Sequence, residues 1–473
     1  MAGQLLPIDQ IRFARSPKVD KQLAEYFRLP DDPRFSFAYS NGDGRTGFFR
    51  FANATCFGKI SGQVPSPSLD QPLPEVNTRQ DNAGGQPFPF NPPDLIDSIR
   101  SERYVSHTNC AGKKSLPKQI ARIGYYAVRE ILPVGVRRHF QRMYLRGWQD
   151  LPFPKWPVDF TIDDLHEQFL RERMLANGVT QMPFIWFWPE GASACVLMTH
   201  DIEAPAGKAF CSRLMDMDDA HHIKSSFQVI PEVRYPVEPA FLDSIRSRGF
   251  EVNVHDLNHD GSLFKERAEF LRRASKINRY ISEFKALGFR AGAMYRNQDW
   301  MSELNLSYDM SVPNVAHLEP QRGGCCTVMP YFIGDIVELP LTMTQDYSLF
   351  HIMENYSIDV WKRQIDLVGG RNGLMTFISH PDYLQDDRAQ KVYTDLLAYL
   401  DALRHERNYW IPLPYQAAQW WRDRRAMRLV KSSDGWTIEG PNADRARVAY
   451  ATIDGAHLKY SLEPAVAQVR SVG

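Results

Sequence analysis

The residues best suited to chemistry in this chain sit where short apolar runs end. Met198-Thr199 leads into His200-Asp201-Ile202-Glu203, and Val252-Asn253-Val254 leads into His255-Asp256-Leu257-Asn258-His259. Gly288-Phe289 leads into Arg290, and Phe377-Ile378-Ser379 into His380-Pro381. In a barrel of alternating strands and helices, the carboxyl ends of the strands carry the reactive groups, so polar residues at such places need an explanation. The spacing of His255 and His259 predicts two imidazoles on one face of a helical turn, within reach of a single ion. Asp201 and Glu203, at the end of another run, could complete a His-His-carboxylate site with positions left open for water, the pattern of a catalytic metal. The competing structural reading of these two carboxylates is capping of a helix N-terminus.

The elements that must position these groups follow from periodicity. Apolar runs at 194–199, 225–230, 250–254, 335–341 and 373–379 read as strands. Helical patterns at 264–287, 358–367, 389–404 and 415–425 lie between or after them. That alternation predicts βα units and a largely parallel sheet or barrel. Between Pro65 and Pro93 eight of 29 residues are proline, which predicts a linker. From Lys113 to Arg146 nine basic residues face one acidic residue, Glu130, in a pattern of two amphipathic helices broken near Pro133. This segment reads as a solvated helix face or as a peripheral contact with an anionic membrane or phosphate group. The tail after Met427 is β-like, with Asp-Gly pairs at 434–435 and 454–455. The expected organisation is a small unit at 1–62, a linker at 63–100, a helical basic segment at 101–180, a catalytic domain at 181–427 and a β-rich tail at 428–473.

Composition narrows the function classes. The 473 residues are 43% hydrophobic and 12% aromatic, enough for a substantial core. With 56 basic and 56 acidic side chains the formal charge is zero, which argues against a nucleic-acid binder. No apolar run is long enough to span a membrane, and no secretory signal pattern precedes the first elements. The six cysteines show no C-x-x-C spacing, which fits a reducing compartment, and a cytoplasmic location is expected. Cys325-Cys326, after Gly323-Gly324, reads as a loop packing feature. His221 and His222 read as exposed, and the chain contains no G-x-S-x-G serine motif.

Between residues 199 and 380 the chain resembles the polysaccharide deacetylases of carbohydrate esterase family 4, whose five short motifs have counterparts here in the same order. They are Thr199-His200-Asp201-Ile202-Glu203, then His255 with His259, Arg290-Ala291-Gly292-Ala293-Met294-Tyr295, Tyr308-Asp309-Met310-Ser311, and the run 374–379 ending in His380. The resemblance covers about residues 180–425 and implies a distorted, incomplete (β/α) barrel. It implies that Glu203, His255 and His259 bind one divalent ion, zinc by default. Asp201 becomes the general base paired with Arg290, and His380 the general acid oriented by Asp309. A rival assignment makes Asp201 the ligand and His200 the base. Asp256 stands where a hydroxyl residue is usual, and Gly292 where proline is usual. The activity implied is removal of an N-acetyl group from a sugar of a glycan or glycan precursor. A non-sugar, even cyclic, amide is the alternative substrate, and a silent glycan-binding module the alternative class.

Overall fold

The computed structural model describes residues 14–15, 21–32, 38–40, 42, 44–77, 88–108, 134–433 and 435–463. Seven parallel strands form the main part of a curled nine-stranded sheet in which, with one exception, neighbours in sequence are neighbours in space. They are Ala194–Ile202, Ser226–Val229, Glu251–His255, Gly288–Arg290, Tyr308–Asp309, Ile336–Glu338 and Leu374–Ser379, numbered first to seventh below. The seventh pairs back onto the first, so the order is cyclic apart from one break between the sixth and seventh. Side chains partly bridge that break. The Thr342 hydroxyl donates to the Leu374 carbonyl at 2.7 Å and accepts from the Thr376 N–H at 3.0 Å. The expected incomplete (β/α) barrel is therefore present, and its opening is a place where a threonine side chain replaces ladder bonds.

Because successive side chains in a strand point to opposite faces, each barrel strand sorts its residues into an inner and an outer set. In the first strand Cys195 and Leu197 join one apolar cluster, and Ala194, Val196 and Met198 join another beneath the helices. Helices Pro205–Ala220, Pro239–Ser247, Arg267–Glu283, Asp359–Gly369 and Asp387–Glu406 form the outer layer. The helices at 267–283, 359–369 and 387–406 fall within a few residues of the periodic patterns. Those at 205–220 and 239–247, each with proline at its start, were not among them.

The segments outside the barrel share its core. One continuous cluster runs from Leu23 through Phe48, Phe90 and Tyr104 to Phe169, Phe184, Leu197, Val337, Ala449 and Leu458. Strand Val448–Asp454 pairs with both His457–Leu462 and Gln181–Ile185, stitching the tail to the start of the barrel domain. Within the proline-rich stretch 63–100 the described residues, 63–77 and 88–100, pack against the rest of the chain, and 78–87 lie outside the described residues. Ser66 and Glu75 bridge to the Gly47–Phe51 strand, Val76, Phe88 and Phe90 are buried, and Pro92–Arg100 is a helix. Proline supplied fixed backbone angles for packing against an existing hairpin, not a spacer. Of the basic segment 113–146, residues 113–133 lie outside the described residues, and Val134–Leu145 is a helix. No described helix is long and apolar enough to cross a membrane.

Candidate metal centre

The inner face of the barrel gathers the sequence-predicted residues at the carboxyl ends of its strands. Arg290 ends the fourth strand with no exposed surface. Its Nη1 donates to Asp201 Oδ1 at 2.6 Å and to Thr199 Oγ1 at 2.8 Å, and its Nε donates to the Met310 carbonyl at 3.1 Å. Burial alone would raise the Asp201 carboxyl, but Arg290 and the nearby His255 and His380 outweigh it and hold its pKa below the ordinary range.

His255 ends the third strand beside Arg290 in register. Its Nδ1 lies 3.0 Å from the Arg290 carbonyl oxygen, an acceptor, so this nitrogen carries the proton and leaves Nε2 with a free lone pair. That Nε2 is buried without a hydrogen-bond partner. It lies 4.0 Å from Glu203 Oε1 and 3.7 Å from Asp201 Oδ2. His259 Nε2 approaches Glu203 Oε1 at 3.0 Å. The ligating atoms of Glu203, His255 and His259 all lie within 4.8 Å of one another. Two imidazole nitrogens and a carboxylate oxygen form a borderline-soft donor set suited to zinc and neighbouring divalent metals, and a buried lone pair with no donor fits a cation there. Burial opposes charge on both Glu203 and His259, yet their mutual attraction prevails. Glu203 falls well below its usual range and His259 rises above its own.

The pair of histidines does not use a helical turn. His255 is strand, while Asp256 and His259 adopt positive φ of 55°, and the tight loop between them brings the ring centroids to 4.9 Å. Nor do Asp201 and Glu203 cap the following helix. Asp382 does so, accepting from Gly207 N at 2.9 Å and from Glu203 N at 3.0 Å, and thereby fixes the backbone that presents Glu203. His200 takes no part. It is on the outer face of the first strand, with Nδ1 2.7 Å from Ser379 Oγ and Nε2 3.0 Å from Asp218 Oδ2.

His380 follows the seventh strand, with Nε2 3.7 Å from Glu203 Oε1. Its orienting acid is Asp346, which the sequence reading missed. Asp346 Oδ1 lies 2.6 Å from His380 Nδ1, and Oδ2 accepts the His380 backbone N–H at 2.6 Å. Burial would lower the His380 pKa, but Asp346, with help from Glu203 and Asp201, raises it to about 10. Asp309, expected in that role, stands elsewhere. Tyr308 and Met310 point inward, so Asp309 points outward beside Glu338, its register partner in the sixth strand. There it accepts from Ser311 Oγ at 2.7 Å, and Ser311 Oγ in turn accepts from Ala291 N at 2.8 Å. Burial raises the pKa of both Asp309 and Glu338, as expected for two carboxyl groups side by side out of water. Asp346 had a signal in the sequence: it closes the polar stretch Thr344-Gln345-Asp346 shortly after the apolar run at 335–341.

The two departures in the motif loops are coupled. One oxygen of Asp256 accepts from Leu257 N at 2.6 Å, and the other is buried without a hydrogen-bond partner. A side chain at residue 292 would overlap that free oxygen and come within 2.9 Å of His259 Cδ2. Glycine at 292 therefore makes room for the Asp256 carboxylate. The next residue, Ala293, aims its N–H at His259 Nε2, at 3.3 Å. The N–H groups of Met294 and Tyr295 turn back to Ala291 and Gly292 instead, so within 293–295 only Ala293 faces the site.

No protein-family model matches the chain, and no curated protein matches it. Solved structures do. The barrel is similar to polysaccharide deacetylases of known structure. One is a protein of Mycobacterium smegmatis assigned to that class, with 17% identity, covering 50% of this chain and 93% of that one at a TM-score of 0.41. Another, from Pseudomonas aeruginosa PAO1 and likewise assigned, has 12% identity and covers 50% and 93% at 0.40. Puue allantoinase is similar over the same half of the chain, with 12% identity, 92% of its own length covered and a TM-score of 0.41.

Adding a methyl at residue 292 tests the coupling. Gly292→Ala should weaken divalent-metal affinity about tenfold or more by displacing Asp256 against His259, and Asp256→Ser in the same chain should restore most of it. Competition with a chromogenic chelator measures both, and wild-type affinity in Gly292→Ala would refute the coupling.

Proposed function

We propose that this protein is a metal-dependent hydrolase that removes an N-acetyl group from a sugar of a glycan or glycan precursor. The observation that carries the reading is one small volume with three functions around it. The Glu203-His255-His259 donor set comes within 3.7 Å of a carboxylate fixed by a buried arginine and within 3.7 Å of a histidine fixed by a buried aspartate.

Glu203, His255 and His259 would hold the ion, which when bound would supply a Lewis acid for the acyl oxygen and lower the pKa of water. Asp201, kept ionised and aimed by Arg290, takes a proton from the attacking water. The water oxygen bonds to the acyl carbon and the C–N bond breaks. His380, held by Asp346, gives its proton to the departing nitrogen, so acetate and a free amine result. The Ala293 N–H is the donor placed to face the oxygen that gains charge. An amide needs both proton transfers because an unprotonated amine is a poor leaving group.

The substrate is lipid-linked or otherwise held at a membrane surface, and the basic segment 113–146 supplies a peripheral contact. Support comes from helix Val134–Leu145, where Phe140, Met143 and Tyr144 are exposed at three- and four-residue spacings beside exposed Arg146. Salt-sensitive co-sedimentation with anionic vesicles is expected, and equal behaviour with neutral vesicles would sink this part of the reading.

Purified protein should carry about one divalent ion per chain. It should release acetate from N-acetylated glycans, and His255→Ala/His259→Ala should lose both properties. A wild-type chain that takes up no zinc, cobalt or manganese would overturn the hydrolase reading. Asp346→Asn should lower kcat by about 10²–10⁴-fold, the scale of a misdirected general acid. Asp309→Asn should change stability with kcat within about threefold of wild type, because its partners lie on the far side of the sheet; steady-state kinetics separates the two.

A further inference from the structure

The segment ahead of the barrel reaches the metal centre through one side chain. Helix Pro92–Arg100 ends in paired bonds from Glu102 N to Ile99 O at 2.9 Å and from Arg103 N to Ser98 O at 3.0 Å. In this ending the residue with positive φ is ordinarily glycine. Here it is Glu102, with φ of 59°. A costly residue at that position calls for a use for its side chain.

The Glu102 carboxylate is buried against Arg296, whose side chain has no exposed surface. Arg296 Nε donates to Glu102 Oε2 at 2.7 Å, and Nη2 bonds to Glu102 Oε1. The remaining guanidinium nitrogen, Nη1, donates to the Met294 carbonyl at 2.8 Å. Met294 and Ala293 are both non-glycine residues at positive φ, 54° and 52°. Such a backbone persists only when its surroundings hold it, and Arg296 binds its carbonyl directly. Glu102 is seated from the other side as well. Oε1 accepts from Gly324 N at 2.6 Å, and a side chain at Gly323 would come within 2.5 Å of the same oxygen. The Gly323-Gly324 pair, with φ of 133° and 144°, is thus the floor on which the carboxylate rests. Gln298, two residues past Arg296, donates to the Arg100 carbonyl at 2.8 Å and ties the same loop to the same helix.

We infer that Glu102 and Arg296 are positioning residues that clamp the strained 292–296 loop and so aim the Ala293 N–H into the site, which makes residues 92–104 a working part of the metal centre. This rests on the proposed hydrolase for its catalytic consequence but not for the clamp itself.

The test uses the full chain with Glu102→Gln, and with Tyr104→Phe as a control that removes the neighbouring contacts of the Tyr104 hydroxyl with the Gly324 carbonyl and Cys326 Sγ but leaves the Glu102–Arg296 pair in place. Hydrogen exchange at 292–298 should accelerate in Glu102→Gln and stay near wild type in Tyr104→Phe. Metal content should be unchanged in both. On an acetylated glycan, kcat of Glu102→Gln should fall about tenfold or more, with KM within about threefold, as expected for a displaced oxyanion donor. Unchanged exchange in this loop, or acceleration spread evenly over the chain, would overturn the clamp, as would a kcat equal to wild type. If Glu102→Gln does not fold, Arg296→Lys keeps the charge but loses the fork, and the same local acceleration is required of it. A wild type that releases no acetate would refute the hydrolase reading, while the exchange result still decides the clamp.

Discussion

An arginine with no access to water must find its counter-charge and all its acceptors inside the protein, and Arg290 does so at the centre of this barrel. Its guanidinium joins Asp201, Thr199 and the Met310 carbonyl, while its own carbonyl receives both the His255 ring and the Asp256 N–H. Four barrel strands or their extensions converge on one residue. Removing one member of a buried ion pair costs about 3–5 kcal/mol because the other charge is left unpaired. The same pair therefore holds the barrel's inner face together and sets the charge and tautomer of the groups around it.

Around that centre the structure balances acids against bases. Asp201, Glu203, Asp256 and Asp346 surround His255, His259 and His380 in a volume largely closed to water, where Coulomb interactions are strong. Each histidine has a different second partner: a backbone carbonyl for His255, a carboxylate for His380, and for His259 a carboxylate at the very nitrogen that would bind an ion. Those partners, more than the residue types, are what would separate a metal ligand from a proton donor in the proposed reaction. Two loops beside these groups are strained, with positive φ at Asp256 and His259 in one and at Ala293 and Met294 in the other, and each is tied down by a polar contact to a neighbouring segment.

Much of this was legible in the sequence because it depends on local pattern. A parallel strand buried on both faces reads as a short apolar run, and a polar residue directly after it marks the carboxyl end of a barrel strand. That logic located Asp201, Glu203, His255, His259, Arg290 and His380, all of which the fold brings together. It failed for Asp309. When both faces of a strand are apolar, alternation says that Tyr308 and Asp309 point opposite ways but not which way is inward. Composition also suggested a spacer at 63–100, whereas its described residues, 63–77 and 88–100, pack on the apolar surface of a neighbouring hairpin.

The sequence by itself determined the alternation of strands and helices in most of the barrel and the chemical types offered at most strand ends, because these follow from the periodicity of side chains along the backbone. Only the tertiary structure decided which acid meets which base. Asp346 and His380 are 34 residues apart, and Glu102 and Arg296 are 194 apart. Such pairs are chosen by how the barrel curls and by which segment is buried against it, a balance of desolvation and pairing summed over the whole core.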